Sequence, residues 1–127
     1  SALTNLGWAY HKRGDNVEAM TELRQAVLLN PDFCVARYRL AQVYLDFEMN
    51  DQALEEVQRV LADERCPIQD ARRVEGVAKM RLGDARDATG SFDACIAMAP
   101  RSCLADECAE YMELASSEAQ VSAMPAG

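Results

Sequence analysis

The chemistry open to this chain is limited first by its cysteines and its histidine. Five cysteines stand at Cys34, Cys66, Cys95, Cys103 and Cys108, with a single histidine, His11. No Cys-x-x-Cys pair occurs, and a structural zinc site needs four Cys/His ligands in short paired spacings, so no metal site is expected. A nucleophilic Cys–His pair would need a cysteine carried to His11, and the sequence around His11 contains none. Glu55, Glu56, Asp63, Glu64, Asp84 and Asp87 follow helix faces and turns and read as solvated surface. There is no Asp-x-Asp calcium loop and no glycine-rich phosphate loop; Gly76 and Gly83 fit packing and turn roles. Met20, Met49, Met80, Met98 and Met112 suit irregular core gaps. The chain is therefore expected to be no enzyme and to carry no cofactor.

The elements that position these side chains are helical. The 127 residues suffice for one domain with a continuous core. Half are apolar, four are Pro and six Gly, and helix formers dominate without the alternation that marks strands. The net charge is −8, which argues against nucleic acid as a partner, because phosphate neutralisation needs a basic stripe. No apolar run reaches the roughly 18 residues of a membrane-spanning helix. Ser1 reads as a cut point in a longer protein.

A repeat organises the helices. Leu6-Gly7-Trp8-Ala9-Tyr10 is followed by Gly14-Asp15, Ala19, Leu23, Ala26 and Pro31. Leu40-Ala41-Gln42-Val43-Tyr44 is followed by Ala53, Val57 and Val60, and Gly76-Val77-Ala78 by Gly83-Asp84, Ala88, Phe92, Cys95 and Pro100. Ala53 lies 34 residues after Ala19, and Ala88 lies 35 after Ala53. Small residues at Gly7, Ala19, Ala41, Ala53, Gly76 and Ala88 let paired helices approach closely. Tyr10, Tyr44, Leu23, Val57 and Phe92 fill the space between hairpins. Asp15 and Glu18 form a capping-box pattern, and Pro31, Pro67 and Pro100 stop the second helix of each pair. In the third repeat, Arg72, Glu75 and Lys79 replace Leu3, Leu6 and Tyr10, so that helix is expected to turn Val74, Val77 and Met80 inward instead. Leu104, Cys108, Tyr111, Met112 and Ala115 predict a capping helix over 102–116, with a flexible tail over 117–127.

These residues resemble the tetratricopeptide repeat family over about residues 1–100. The resemblance implies an all-α fold: a right-handed α-solenoid of about three helical hairpins (about 1–33, 34–67 and 68–101) with a C-terminal capping helix. It implies a protein–protein interaction scaffold holding a partner segment in a concave groove lined by the first helix of each pair. The matching positions are Thr4, Trp8, His11 and Lys12; Tyr38, Gln42, Leu45 and Asp46; and Arg73, Val77 and Met80. Trp8, Tyr38, Leu45, Val77 and Met80 would form an exposed apolar strip of the kind that marks a binding site. The alternative is that Trp8 and Tyr38 pack on neighbouring hairpins, or that a preceding repeat covers Trp8. The Lys and Asn of the carboxylate-clamp members, which grip chaperone tails, are matched here by Thr4 and Trp8. A different class of reading is a structural or self-association module of a larger repeat protein.

Hairpin geometry bears on the cysteines. Cys95 and Cys108 are equidistant from a point just after Pro100, so they can face each other across the last turn, where a bridge would add about 3 kcal/mol. Cys95 as a small core residue, in the place of Ala26, is the equal alternative. Cys34, Cys66 and Cys103 fall at the same end of their hairpins, and Cys66–Cys103 is the pairing favoured among them. Bridges would place the protein in a periplasm or outside the cell; free thiols would leave it cytoplasmic. Within the repeat family, Asn5–Asp15 and the Leu61–Pro67 connection resemble periplasmic pilotins of the PilF and Tgl type. That resemblance implies a factor assisting assembly of the type IV pilus secretin in the outer membrane, with a secretin subunit as partner.

Overall fold

The computed structural model describes residues 2–12 and 14–123, with every side chain in that range but those of Ala2, Tyr10 and Lys12. Seven helices follow one another: α1 (Ala2–Lys12), α2 (Asn16–Leu29), α3 (Cys34–Asp46), α4 (Asn50–Leu61), α5 (Gln69–Arg81), α6 (Ala85–Met98) and α7 (Cys103–Ala123). Among the described residues there is no strand. The helices fall into two compact units, Ser1–Cys66 with α1 to α4 and Pro67–Gly127 with α5 to α7.

The turns within the helix pairs share one device. Gly14 and Gly83 adopt φ of 84° and 88°, the left-handed region that costs a glycine little. At Gly83 the chain closes with Asp84 N–H donating to Lys79 O at 2.9 Å, a Schellman ending. The turn between α3 and α4 is built the same way, with Met49 N–H donating to Tyr44 O at 2.8 Å. The left-handed residue there is Glu48, φ 59°, at a cost of about 1–2 kcal/mol for a side chain in that region.

In the first unit, close helix approach is set by the small residues. A Cβ added to Gly7 would stand 2.7 Å from Leu23 Cγ. Ala19, Ala41 and Ala53 are wholly buried beside Leu23, Val43 and Val57. In the second unit a Cβ on Gly76 would stand 2.5 Å from Phe92 Cε1, and the buried Phe92 ring stacks on Tyr111 at 5.3 Å between centroids.

Helix α5 differs from the expected simple rotation. Ala71, Val74, Val77 and Ala78 do turn inward, and Met80 is half-buried, but Glu75 is buried with them. Ser91 Oγ donates to its carboxylate at 2.8 Å, Arg72 lies at 3.2 Å and Lys79 at 3.8 Å. Lys79 also reaches Asp87 at 2.8 Å. A buried carboxylate survives because each oxygen has cationic or hydroxyl partners.

Helix α7 is longer than the expected cap. Ser102 Oγ accepts from Ala105 N–H at 3.0 Å and starts the helix, which runs through residues 117–123 of the expected tail. That stretch holds no Gly or Pro, and the first breaker is Pro125. Residues 124–127 of that tail lie outside the described residues. Gln69 ties the unit together: its Nε2 donates to Cys95 O at 2.8 Å and to Ser102 Oγ at 3.0 Å, linking the start of α5 to the end of α6 and the cap of α7.

Candidate functional site

Helix α3 carries two opposed stripes, because positions three and four apart share a face. One stripe, Arg39, Gln42 and Asp46, faces α1. Arg39 lays its guanidinium over the Trp8 ring, 3.7 Å from the centroid, and donates to Gln42 Oε1 at 3.3 Å. His11, one turn beyond Trp8, meets the indole with centroids 4.8 Å apart. Its Nε2 donates to Asp46 Oδ2 at 3.0 Å. Trp8 remains half-buried, in contact with a cation and an imidazole. Cation–π contact of this kind contributes about 0.5–2 kcal/mol, more as water is excluded.

The groove positions read from the sequence separate into two sets. Trp8, His11 and Gln42 meet on one face of the first unit, whereas Tyr38 and Leu45 are buried and so do not form an exposed strip. Thr4 is buried as well. The Lys12 side chain lies outside the described residues. Arg39 was missed by the sequence reading; its signal was the 39–42–46 spacing, one position off the stripe chosen from Tyr38.

In the second unit, Val77 and Met80 line a cavity of about 240 Å³ with Arg81, Tyr111, Leu114 and Glu118. Val77 is buried and forms the wall, while Leu114 on α7 is 58% exposed at the mouth. Arg73 is not among the lining residues. It is held by Asp70 three residues earlier. Burial works against its charge, but the hydrogen bonds from Arg73 to Asp70 and the charges of Asp70 and Glu107 outweigh it and raise its pKa.

One of the two pairings read from the sequence is present and the other is not. Cys95 and Cys108 are bridged, Cα atoms 6.4 Å apart. Cys66 does not pair with Cys103; it is bridged to Cys34 at 5.9 Å, and Cys103 is a free, exposed thiol. The reason is the α3–α4 hairpin, which starts at Cys34 and returns the chain to it at Cys66. Asp63 lies beside this bridge, and its carboxylate, Cys34 Sγ and Cys66 Sγ fall within 4.8 Å of one another. As a metal site it would need both thiolates, which the bridge consumes. Hydrogen bonds from the Arg65 side chain and backbone hold the Asp63 pKa down at about 2.

Known proteins share this helical fold. The first tetratricopeptide domain of Spaghetti (RPAP3), solved with an HSP90 peptide, superposes with a TM-score of 0.85 at 18% identity, covering 94% of this chain and 91% of that one. The second such domain of human RPAP3, solved with an HSP70 peptide, gives 0.80 at 16% identity, covering 90% and 92%. PcrH from Pseudomonas aeruginosa gives 0.81 at 18%, covering 91% and 89%. At these identities the likeness establishes the fold. A search of curated proteins found no match in sequence. The tetratricopeptide repeat family profile matches residues 2–72, more than half the chain, and the protein therefore belongs to the tetratricopeptide repeat family.

Proposed function

We propose that this chain is a protein-binding scaffold, not an enzyme, and that it holds a partner segment on the faces of its first helices. The observation that carries this is Trp8, half-buried and fixed between Arg39 and His11. A large aromatic side chain whose rotamer is already set loses little entropy when a partner covers it, which is the usual make-up of a binding hot spot. The cavity beside Leu114 offers the second unit a comparable apolar foothold. Two of the structural relatives were solved holding chaperone peptides. Here Thr4 and Trp8 stand at the places of the clamp residues, so the occupant favoured is a segment with an aromatic or apolar anchor rather than a chaperone tail. The two bridges, Cys34–Cys66 and Cys95–Cys108, support an oxidising compartment, a periplasm or the cell exterior. The pilotin-like role, with an outer-membrane secretin as partner, rests on those bridges and on general repeat residues, and it has no counterpart among the relatives named above.

Trp8 is the only tryptophan, so it reports its own occupancy. Peptides selected from a random display library on the wild-type chain should change Trp8 fluorescence on titration. They should bind Trp8→Ala at least ten-fold more weakly, with far-ultraviolet circular dichroism unchanged. A selection that yields no peptide weakened by either Trp8→Ala or Leu114→Glu would refute both faces.

A further inference from the structure

The second stripe of α3, opposite the one facing Trp8, opens a different surface. Arg37, Leu40 and Tyr44 project between α2 and α4, where they line a cavity of about 370 Å³ with Arg24, Val27, Leu28, Glu56 and Arg59. Its floor is apolar: Leu40 and Tyr44 are buried and Val27 half-buried. Leu28 stands at its edge 79% exposed, with Leu29 beside it at 70%. An adjacent pair of leucines this exposed is costly to leave in water.

The rim is cationic on a chain whose net charge is −8. Arg37 is committed to the fold: it is paired with Glu56 at 2.7 Å and donates to Pro31 O at 3.2 Å. Arg24 donates to Tyr44 Oη at 2.7 Å and lies 5.5 Å from that ring's centroid, and it makes no ion pair among the described residues. Arg59 holds Glu55 at 2.9 Å, both more than half exposed, and stands at the longer distance of 3.9 Å from Glu56. Solvated pairs of this kind contribute about 0–1 kcal/mol and exchange readily for a better carboxylate. Two guanidinium groups are thus available beside an apolar floor with room for one or two side chains.

We propose that this surface, on the second-helix side of the first unit, is a second docking site, and that its occupant is a partner segment in which an apolar residue is flanked by Asp or Glu. The leucine-lined floor takes the apolar side chain, and Arg24 and Arg59 take the carboxylates as forked hydrogen bonds. Charge complementarity identifies the occupant: a neutral apolar segment would leave both arginines unanswered, and a basic one would be repelled by them. The site shares no residue with the Trp8 face, so it stands or falls independently of the proposed function.

The test is a random twelve-residue peptide library displayed on phage and selected on Trp8→Ala/Leu114→Glu, which removes the two faces of the proposed function. Selected peptides should be enriched in Leu, Ile or Phe next to Asp or Glu. Their affinity should fall at least ten-fold in Arg24→Glu/Arg59→Glu, and should fall with added salt in the parent. Glu55→Gln, which removes the closer carboxylate of Arg59 without touching the floor, should strengthen binding. Failure to select an acidic–apolar class, or a class indifferent to Arg24→Glu/Arg59→Glu, overturns the proposal. Sedimentation velocity covers the other occupant: self-association of the wild type that Arg24→Glu/Arg59→Glu abolishes would assign the surface to a second copy of the chain and overturn the partner segment.

Discussion

Two glycines in the second unit are both helical, yet alanine should act on them in opposite directions. At Gly90 in α6 nothing stands within 4 Å of an added Cβ and the residue is exposed. Gly90→Ala therefore gains the helix propensity alone, about 1 kcal/mol. At Gly76 in α5 the same gain is opposed, because the new Cβ would stand 2.5, 2.6 and 2.8 Å from three atoms of the Phe92 ring. Ordinary carbon contacts begin near 3.5 Å, so something must move by up to about 1 Å. Phe92 is wholly buried and stacked on Tyr111, which leaves the ring no free direction. Overpacking of this kind costs about 1–3 kcal/mol, and an immobile ring puts it near the upper end. The net for Gly76→Ala is a loss of about 1–2 kcal/mol. With a urea m-value of about 2 kcal/mol per M, the midpoint should rise by about 0.5 M for Gly90→Ala and fall by about 0.5–1 M for Gly76→Ala. Far-ultraviolet circular dichroism of the oxidised protein reads both. Phe92→Leu combined with Gly76→Ala should cost less than the sum of the single changes, since the smaller side chain yields the space. A Gly76→Ala variant as stabilised as Gly90→Ala would show that α5 and α6 do not approach at this point, and would refute the reason given for every small residue in the repeat.

The cysteines give a direct count: unreduced, denatured protein should react at one thiol, Cys103, and reduced protein at five. By the loop each closes, losing Cys95–Cys108 should cost about 3 kcal/mol and losing Cys34–Cys66 somewhat more, read as urea midpoints of the corresponding Cys→Ser pairs. Glu48→Gly should stabilise the first unit by about 1 kcal/mol, because the left-handed turn residue then carries no side chain; an unchanged or lowered melting temperature would refute the strain assigned to it. Glu75→Leu should expose whether the buried ion network is needed: with Ser91 and Arg72 deprived of their acceptor and Lys79 left to Asp87 alone, a loss of about 1–3 kcal/mol is expected in thermal unfolding. Asp63 has its pKa lowered, so its bond to Arg65 is intact above the ordinary value of 3.8 and lost as pH falls through about 2; carboxylate carbon resonances should titrate there in the wild type and at a higher pH in Arg65→Ala, still below 3.8 because the backbone N–H of residue 65 continues to donate to Asp63 Oδ1.

The repeat spine was legible in the sequence because its requirements are steric and local. A period near 34 with small residues at fixed offsets forces close helix pairs, and Gly7 over Leu23 and Gly76 over Phe92 are that requirement made visible. The site was less legible, because the difference between a buried and an exposed groove position is one step around a helix. Tyr38 and Leu45 lie 100° or so from Arg39 and Asp46 on α3, so the positions Tyr38, Gln42, Leu45 and Asp46 taken together mixed a buried face with the one beside Trp8. Glu75 was misread for a related reason. A charged residue in a core position signals a rotated helix unless its partners are known, and Ser91 lies 16 residues away on another helix. The extension of α7 past residue 116 was hidden by composition: Ser, Glu and Gln read as a tail, although nothing in Ser117–Ala123 breaks a helix.

The two stripes of α3 would let one short helix serve the two proposed partners without compromise to either. The Trp8 side is built from a cation stacked on an aromatic ring, and its polar groups are already satisfied internally by Gln42 and Asp46. A partner covering it gains mainly by excluding water from the indole, so binding there should respond weakly to salt. The Arg24 side has an arginine without an ion pair among the described residues, one in solvated pairs, and two exposed leucines, so binding there should weaken as salt screens the rim. Salt dependence alone therefore separates the two faces in the intact protein. If both classes of peptide showed the same salt response, the charge difference drawn between the stripes would carry no functional meaning, whatever the peptides' affinities.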